Sequence, residues 1–370
     1  MAQADRSLAS LKADNARLNL EETRAGHLIL NSMPRFVMSE LTQGCNLRCP
    51  MCRSRQIGYH ERVLDRDVFA ALADVLFPAA EIVDVRGWGE SLLAPDIDGI
   101  IGLVNSYEAR CRVVTNLSLN KPGTLDLLAD TNAMIDISLD AADQETLDIC
   151  RPGARLSLIA RNAKRLSARL AEHGWPGESM RILATLQSVT LDRLDDLVRW
   201  AAEVGVRQVV LNEVTLAPGD PLAVVGIEDQ VDAAVERARA VADTVGVELF
   251  AGSALGRCAG VRKEVPFCIH PWTHATVGYD GSVGYCDHLI GPMMPFSHMG
   301  QITTTAFADI WNGDAWQDLR RWHVHPERPD VPTYHACFRC YQHRNVDFED
   351  VFEPRLSRYR LNLTPVRSDR

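Results

Sequence analysis

Apolar positions along this chain fall into short unbroken runs, separated by longer stretches in which they recur every three or four residues. Runs at 35–41, 81–86, 112–116, 134–139, 181–186 and 208–212 are rich in Val, Ile, Leu and Met and predict strands. Between them, 68–76, 156–173 and 194–204 carry helical spacing, and Gly205 follows the last as a C-terminal cap would. Strand and helix alternating from Pro34 onward predict an α/β fold of six parallel β/α units. Ahead of them, Leu8, Leu11 and Leu18 predict a short amphipathic helix within 5–28, packed on the domain that follows.

Length and composition narrow the possibilities. With 370 residues, 46% of them hydrophobic, the chain has core enough for one large domain and one small one. A net charge of −10 opposes binding to a polyanion, so no nucleic-acid partner is expected. Asp5, Arg6, Lys12 and Asp14 interrupt the start of the chain, and no run of about 18 apolar residues occurs, which predicts a cytoplasmic protein with no membrane partner. Eight of the ten cysteines gather in two regions at metal-like spacing without a secretion signal, so reduced thiols and iron are expected rather than disulfides.

The first region is Leu41-Thr-Gln-Gly-Cys45-Asn-Leu-Arg-Cys49-Pro-Met-Cys52. A [4Fe–4S] cube takes four thiolates, so a compact triad leaves one iron open to a ligand that is not protein. Zinc, the other reading, favours two thiolate pairs or a His/Cys mixture. Reacting groups in parallel β/α folds sit at the C-terminal ends of strands. That rule selects the cysteine loop after the first strand and Gly87-Trp88-Gly89-Glu90 after the second. It also selects Thr115-Asn116 after the third, and Ser138 with Asp140, then Arg151, after the fourth. Thr185 and Gln187 end the fifth strand, and Asn212 and Glu213 the sixth.

The spacing Cys-x3-Cys-x2-Cys resembles the signature of the radical S-adenosylmethionine superfamily, whose fold is an open partial (β/α)6 barrel. In that family the bare iron chelates the cosubstrate's amino and carboxylate groups, and an electron from the cluster yields a 5′-deoxyadenosyl radical that takes hydrogen from an unactivated carbon. Met51 departs from the aromatic residue often found before the last cysteine. The resemblance implies that Gly87, Trp88, Gly89 and Glu90 hold the methionine ammonium group, and that Asn116, Ser138, Thr185 and Asn212 line the cofactor pocket. Arg151 occupies the place of an arginine that reaches the cosubstrate carboxylate. An external one-electron donor such as flavodoxin or ferredoxin is implied too.

The second region carries Cys258, Cys268, Cys286 and the pair Cys337-Phe-Arg-Cys340, and all but Cys258 fall into a pattern with Gly281. Asp280-Gly281 is a hairpin signal that brings Cys268 and Cys286 together on adjacent strands. The pattern, with Met299-Gly300-Gln-Ile and Ile310-Trp311-Asn312-Gly313, resembles the start of a SPASM domain. No cysteine follows Cys340, so the resemblance implies the shortened Twitch form with one auxiliary [4Fe–4S] cluster; four zinc-bound thiolates are the alternative. The expected domains are a helical extension over 1–33, the barrel over 34–250, the auxiliary domain over 251–345 and a tail over 346–370.

An auxiliary cluster that accepts an electron makes the net reaction an oxidation. The architecture resembles that of dehydrogenases of antibiotic biosynthesis acting on amino-sugars and aminocyclitols, which implies oxidation of a small hydroxylated substrate to a ketone. Asp140, Arg151 and Glu213 are candidate proton acceptors or relays. Alternatives stay open: redox-neutral epimerisation or diol dehydration with Cys258 as hydrogen donor and Cys150 as a weaker candidate, a peptide-modifying maturase, or a non-catalytic iron–sulfur carrier. Only 44 residues precede Cys45, which weighs against the maturases that add a peptide-recognition domain there. Cys111 is assigned to packing ahead of the third strand, and His323 and His325 to an exposed loop.

Overall fold

In the computed structural model of the chain, the described residues are 7–52, 54, 61–175, 177–214, 216–250, 267–286, 298–329, 331–334 and 337, without the side chains of Glu178 and Glu213. Helix α1 (Leu8–Ala25) is followed by β1 (Phe36–Ser39), α2 (Arg66–Leu76), β2 (Ile82–Asp84), α3 (Ile97–Ser106), β3 (Arg110–Thr115), α4 (Pro122–Asp130) and β4 (Met134–Ser138). Next come α5 (Gln144–Cys150), α6 (Leu156–Glu172), β5 (Met180–Leu186), α7 (Leu194–Glu203), β6 (Gln208–Glu213), α8 (Glu228–Val245) and β7 (Glu248–Phe250). The C-terminal part holds α9 (His270–Thr273), β8 (His274–Val277), β9 (Ser282–Gly284), β10 (Gly300–Gln301), α10 (Phe307–Trp311) and α11 (Asp314–Val324). The strands run in the order β10-β9-β8-β1-β2-β3-β4-β5-β6-β7, an open sheet of partial-barrel type. All six expected strands are present, and β7 adds another parallel one beside β6.

Two compact units divide the chain. One draws on Met1–Gly44, Tyr59–Arg112 and Lys263–His343, the other on Cys45–Gly58, Val113–Arg262 and Arg344–Arg370. In the second unit β4, β5 and β6 pair in parallel, with Ser138 opposite Leu183 and Thr185 opposite Asn212. The period of two along β5 shows in its burial: Ile182, Ala184 and Leu186 are buried, while Leu183 and Thr185 are half-exposed. Leu158, Ile159, Ala163, Leu166 and Leu170 form the buried stripe of α6.

In the first unit β1 lies between β2 and β8, parallel to both, with Phe36 opposite Ile82 on one side and His274 on the other. The auxiliary hairpin is therefore continuous with the sheet of the β/α core. Its turn is as expected: Gly281 adopts φ 80, open to glycine, and its N–H bonds to Gly278 O at 2.9 Å.

Helix α1 corrects a sequence expectation. Its buried residues are Lys12, Asn19, Glu22 and Thr23, and Leu11 is 37% exposed. Lys12 Nζ donates to Phe77 O at 2.6 Å, Asn19 Nδ2 to Trp272 O at 2.7 Å, and Glu22 Oε2 accepts from Ser32 Oγ at 2.6 Å. Turn and loop groups left unsatisfied by their own secondary structure supply partners for a polar stripe. His323 is corrected as well: it lies within α11, buried beside Trp322 and Trp272. Cys111 is inside β3 and buried, since that strand starts at Arg110.

The C-terminal helices clasp the segment between α1 and β1. Trp272 Nε1 donates to His27 O at 2.7 Å, Trp311 Nε1 to Ser32 O at 2.9 Å, and Arg320 Nη1 to Leu28 O at 2.8 Å. Arg320 also lies over the Trp311 ring, 4.5 Å from its centroid. No helix among the described residues is long and apolar enough to cross a membrane.

Candidate functional site

The chain leaves β1 and enters the cysteine loop, which is held by its own backbone. Cys52 N bonds to Cys49 O at 3.1 Å, and Leu47 N points at Cys45 Sγ at 3.4 Å. Leu47 is buried against Gly153, and Asn116 Nδ2 donates to Asn46 Oδ1 at 2.9 Å while lying 4.0 Å from Cys45 Sγ. Asn116 therefore acts on the loop itself. Burial pushes the Cys49 thiol up to about 11, against the nearby charge of Arg151. Binding to iron would deprotonate such a thiol.

Arg151 caps α5 and is buried with Asp140. Its Nε stands 2.9 Å from Asp140 Oδ2 and its Nη2 3.0 Å from Oδ1, a two-pronged pair. Burial opposes the guanidinium charge, but Asp140 and Cys49 more than offset it and hold Arg151 protonated. Asp140 also accepts from Thr185 N at 2.8 Å and from Gln187 Nε2 at 3.2 Å. Both its oxygens are engaged, which suits an anchor better than a proton acceptor. Thr185 is tied to this network through its backbone, and Gln187 is a member that sequence reasoning left without a role. Ser138 ends β4 and Asn212 lies on β6, each half-exposed. Cys150 is fully buried, and burial pushes its thiol up to about 12, which keeps it as S–H but out of contact with solvent. The side chain of Glu213 and all of Cys258 lie outside the described residues.

The Gly87–Glu90 loop is built on the end of β1. Trp88 N donates to Glu40 Oε1 at 3.0 Å, Gly89 N to Thr42 O at 3.1 Å and Glu90 N to Gly44 O at 2.8 Å. The approach explains the glycines. A Cβ at Gly87 would lie 2.4 Å from Glu40 Cγ, and one at Gly89 2.4 Å from Gly44 O. Glu90 is buried, and its Oε1 accepts from Leu92 N at 3.2 Å, capping the short turn Ser91–Leu93. Glu40 is the acid that sequence reasoning missed; Gln43 Nε2 donates to its Oε2 at 3.3 Å, and burial raises its pKa. Its only signal was a lone acid at the end of an apolar strand.

Cys268 precedes α9 and Cys286 follows β9 by two residues, so both lie at one end of the hairpin but, contrary to the expectation from sequence, neither is on a strand; Cys286 and Cys337 are buried. Tyr285 Oη is 2.9 Å from Cys337 Sγ. Burial first, then the sulfurs of Cys337, Cys286 and Cys268, push this phenol well above its ordinary range, and burial pushes the Cys337 thiol up to about 12. Cys340 lies outside the described residues. Among the described residues no three His, Cys, Asp or Glu side chains converge as a single ion would need, whereas cube ligands attach to separate irons. Three thiols on one loop, one of them buried beside a guanidinium, fit a cluster with three protein ligands. Cys268, Cys286 and Cys337, whose sulfurs all act on Tyr285, are of the donor type that suits a second cluster.

Comparison with known proteins agrees. Residues 39–201 match the radical SAM superfamily and residues 268–341 the SPASM iron–sulfur cluster-binding domain. The chain is 24% identical over 177 residues to the antilisterial bacteriocin subtilosin biosynthesis protein AlbA of Bacillus subtilis, covering 47% of this chain and 38% of AlbA. SuiB of Streptococcus suis bound to precursor peptide SuiA superposes with TM-score 0.63 at 16% identity, over 90% of this chain and 75% of that one. The protein anSMEcpe with bound AdoMet and Cp18Cys peptide gives TM-score 0.59 at 14% identity, over 82% and 88%. The chain thus spans well under two thirds of its curated relative and shares its fold with the two solved proteins. It carries a radical SAM domain and a SPASM-type domain, which imply an S-adenosylmethionine-binding [4Fe–4S] cluster and auxiliary iron–sulfur chemistry.

Proposed function

We propose that this chain, which carries a radical SAM domain and a SPASM-type domain, is an enzyme that removes a hydrogen atom from a carbon of a peptide substrate. Cys45, Cys49 and Cys52 hold the cosubstrate-binding cluster, and Cys268, Cys286, Cys337 and Cys340 hold the auxiliary one. Bound there, cluster and cosubstrate supply a 5′-deoxyadenosyl radical. The chain's own residues would bind and orient: the Gly87–Glu90 loop is assigned to the methionine ammonium group by resemblance, and Arg151, fixed by Asp140, presents a permanent positive charge beside Cys49. A flavodoxin- or ferredoxin-type protein supplies the first electron.

The observation that carries the substrate class is the likeness to AlbA, a protein named for bacteriocin biosynthesis. The two peptide-bound neighbours, SuiB with SuiA and anSMEcpe with Cp18Cys, are compatible with it. On this reading a peptide takes the place of the amino-sugar or aminocyclitol expected from sequence, and the likeness to AlbA speaks to the substrate class, not to the choice between net oxidation and redox-neutral rearrangement.

The test is anaerobic reconstitution, followed by incubation with S-adenosylmethionine, a one-electron reductant, and either a panel of synthetic precursor-type peptides or a panel of aminocyclitols and amino-sugars. Peptide-dependent 5′-deoxyadenosine with a mass change in the peptide is expected. Stimulation by an aminocyclitol and by no peptide would overturn the substrate class. Iron falling from about eight to about four atoms per chain in a Cys45/Cys49/Cys52→Ala variant is expected for two cubes; no loss would overturn the assignment of the triad.

A further inference from the structure

Tyr285 stands between the end of β9 and Cys286, and is 2% exposed. Its Oη lies 2.9 Å from Cys337 Sγ. A cysteine that ligates iron does so as thiolate and has no proton to give, so the hydrogen of this contact belongs to the phenol. The contact is therefore O–H···S, with the donor fixed.

We propose that Tyr285 is a positioning residue of the auxiliary cluster whose O–H···Sγ bond to Cys337 raises the cluster's reduction potential and makes it a better one-electron acceptor. The inference rests on the reading of Cys268, Cys286, Cys337 and Cys340 as cluster ligands. Reduction adds one negative charge, shared by the sulfurs, and a donor aimed at a ligand sulfur stabilises the reduced form more than the oxidised one. One electron enters, from the substrate radical in turnover or from dithionite in a titration. No covalent bond breaks, and the proton stays on Oη.

The experiment is an EPR-monitored redox titration of the full chain, wild type against Tyr285→Phe. Both are also prepared with Cys45, Cys49 and Cys52 replaced by Ala, so that the auxiliary signal stands alone. Removing only the hydroxyl should lower the reduced-to-oxidised ratio of the auxiliary cluster at fixed potential by about tenfold, which for a one-electron couple is about 59 mV. The potential of the triad's cluster should not move. An auxiliary potential unchanged within about twofold in that ratio overturns the inference and leaves the cluster assignment standing. Absence of any iron signal from the triad-less protein overturns the assignment itself, and the inference with it. Should Tyr285→Phe lose its auxiliary iron, ENDOR on wild-type protein exchanged into D2O decides the matter. A strongly coupled exchangeable deuteron on the auxiliary cluster is expected, and its absence overturns the inference.

Discussion

A methyl group added at Gly87 arrives 2.4 Å from Glu40 Cγ and 3.1 Å from its Oε1, well inside the about 3.5–4.0 Å at which carbon atoms attract. Gly87 does not use the left-handed backbone region, so Gly87→Ala tests contact and not backbone strain. Glu40 must withdraw, and its 3.0 Å bond from Trp88 N goes with it. Overpacking costs about 1–3 kcal/mol, and a lost bond to a charged acceptor about 1.5–3 kcal/mol. If only half of the combined cost reaches the binding site, affinity for S-adenosylmethionine falls about tenfold or more, at about 1.4 kcal/mol per decade. Equilibrium dialysis of reconstituted protein reads this directly, without turnover. Glu40→Ala loses the bond without the clash and should cost less. Because that substitution also vacates the space the new methyl needs, the Gly87→Ala/Glu40→Ala double variant should bind no more weakly than Glu40→Ala alone. Simple additivity of the two single effects would refute the claim that Glu40 is what demands a glycine at position 87.

Three further outcomes are expected. Asp140→Ala leaves the buried Arg151 guanidinium without its partner and should cost about 3–5 kcal/mol in denaturant unfolding, with faster loss of triad iron to a chelator; Asp140→Asn should fall in between. Glu22 has its pKa held below 4.5, because bonds from Ser32 and Asn31 outweigh the opposing effect of burial. A depressed carboxylate contributes stability above its unfolded pKa and loses it as pH falls through the folded one, so Glu22→Gln should flatten the acid-side drop in urea midpoint of the apoprotein; an unchanged drop would count against this account of α1. Leu11→Gln should change stability by less than about 0.5 kcal/mol, since that leucine is largely exposed, whereas Asn19→Leu should destabilise by removing the donor to Trp272 O.

The parts of this molecule that are legible in sequence are those whose signal is local. The cysteine spacings, the Asp280-Gly281 turn and the apolar runs of β1 to β6 each announce themselves within a few residues. Helix α1 is the opposite case. Its leucines suggest an apolar face, yet Lys12, Asn19 and Glu22 go inward because distant turns offer carbonyls, a hydroxyl and amides that the helix's own periodicity cannot reveal. His323 was misassigned for the same reason, since Trp272 comes to it from far along the chain. At the candidate site the sequence suggested Asp140 as a base by position alone. Only its geometry, with Arg151, Thr185 N and Gln187 filling both oxygens, turns it into an anchor.

The placement of β1 between β2 and β8 bears on how the protein must be made. Phe36-Val37-Met38-Ser39 leaves the ribosome long before His274–Val277, so one of its edges is covered only after the auxiliary hairpin has been synthesised. Until then an apolar parallel strand keeps a bare row of amides and carbonyls, the kind of edge that pairs with other chains. Pairings of such long sequence separation also fold slowly. Any fragment ending before His274 should therefore aggregate even though it contains every β/α unit, and the hairpin that bears the second cysteine set doubles as the cover that keeps the first strand soluble.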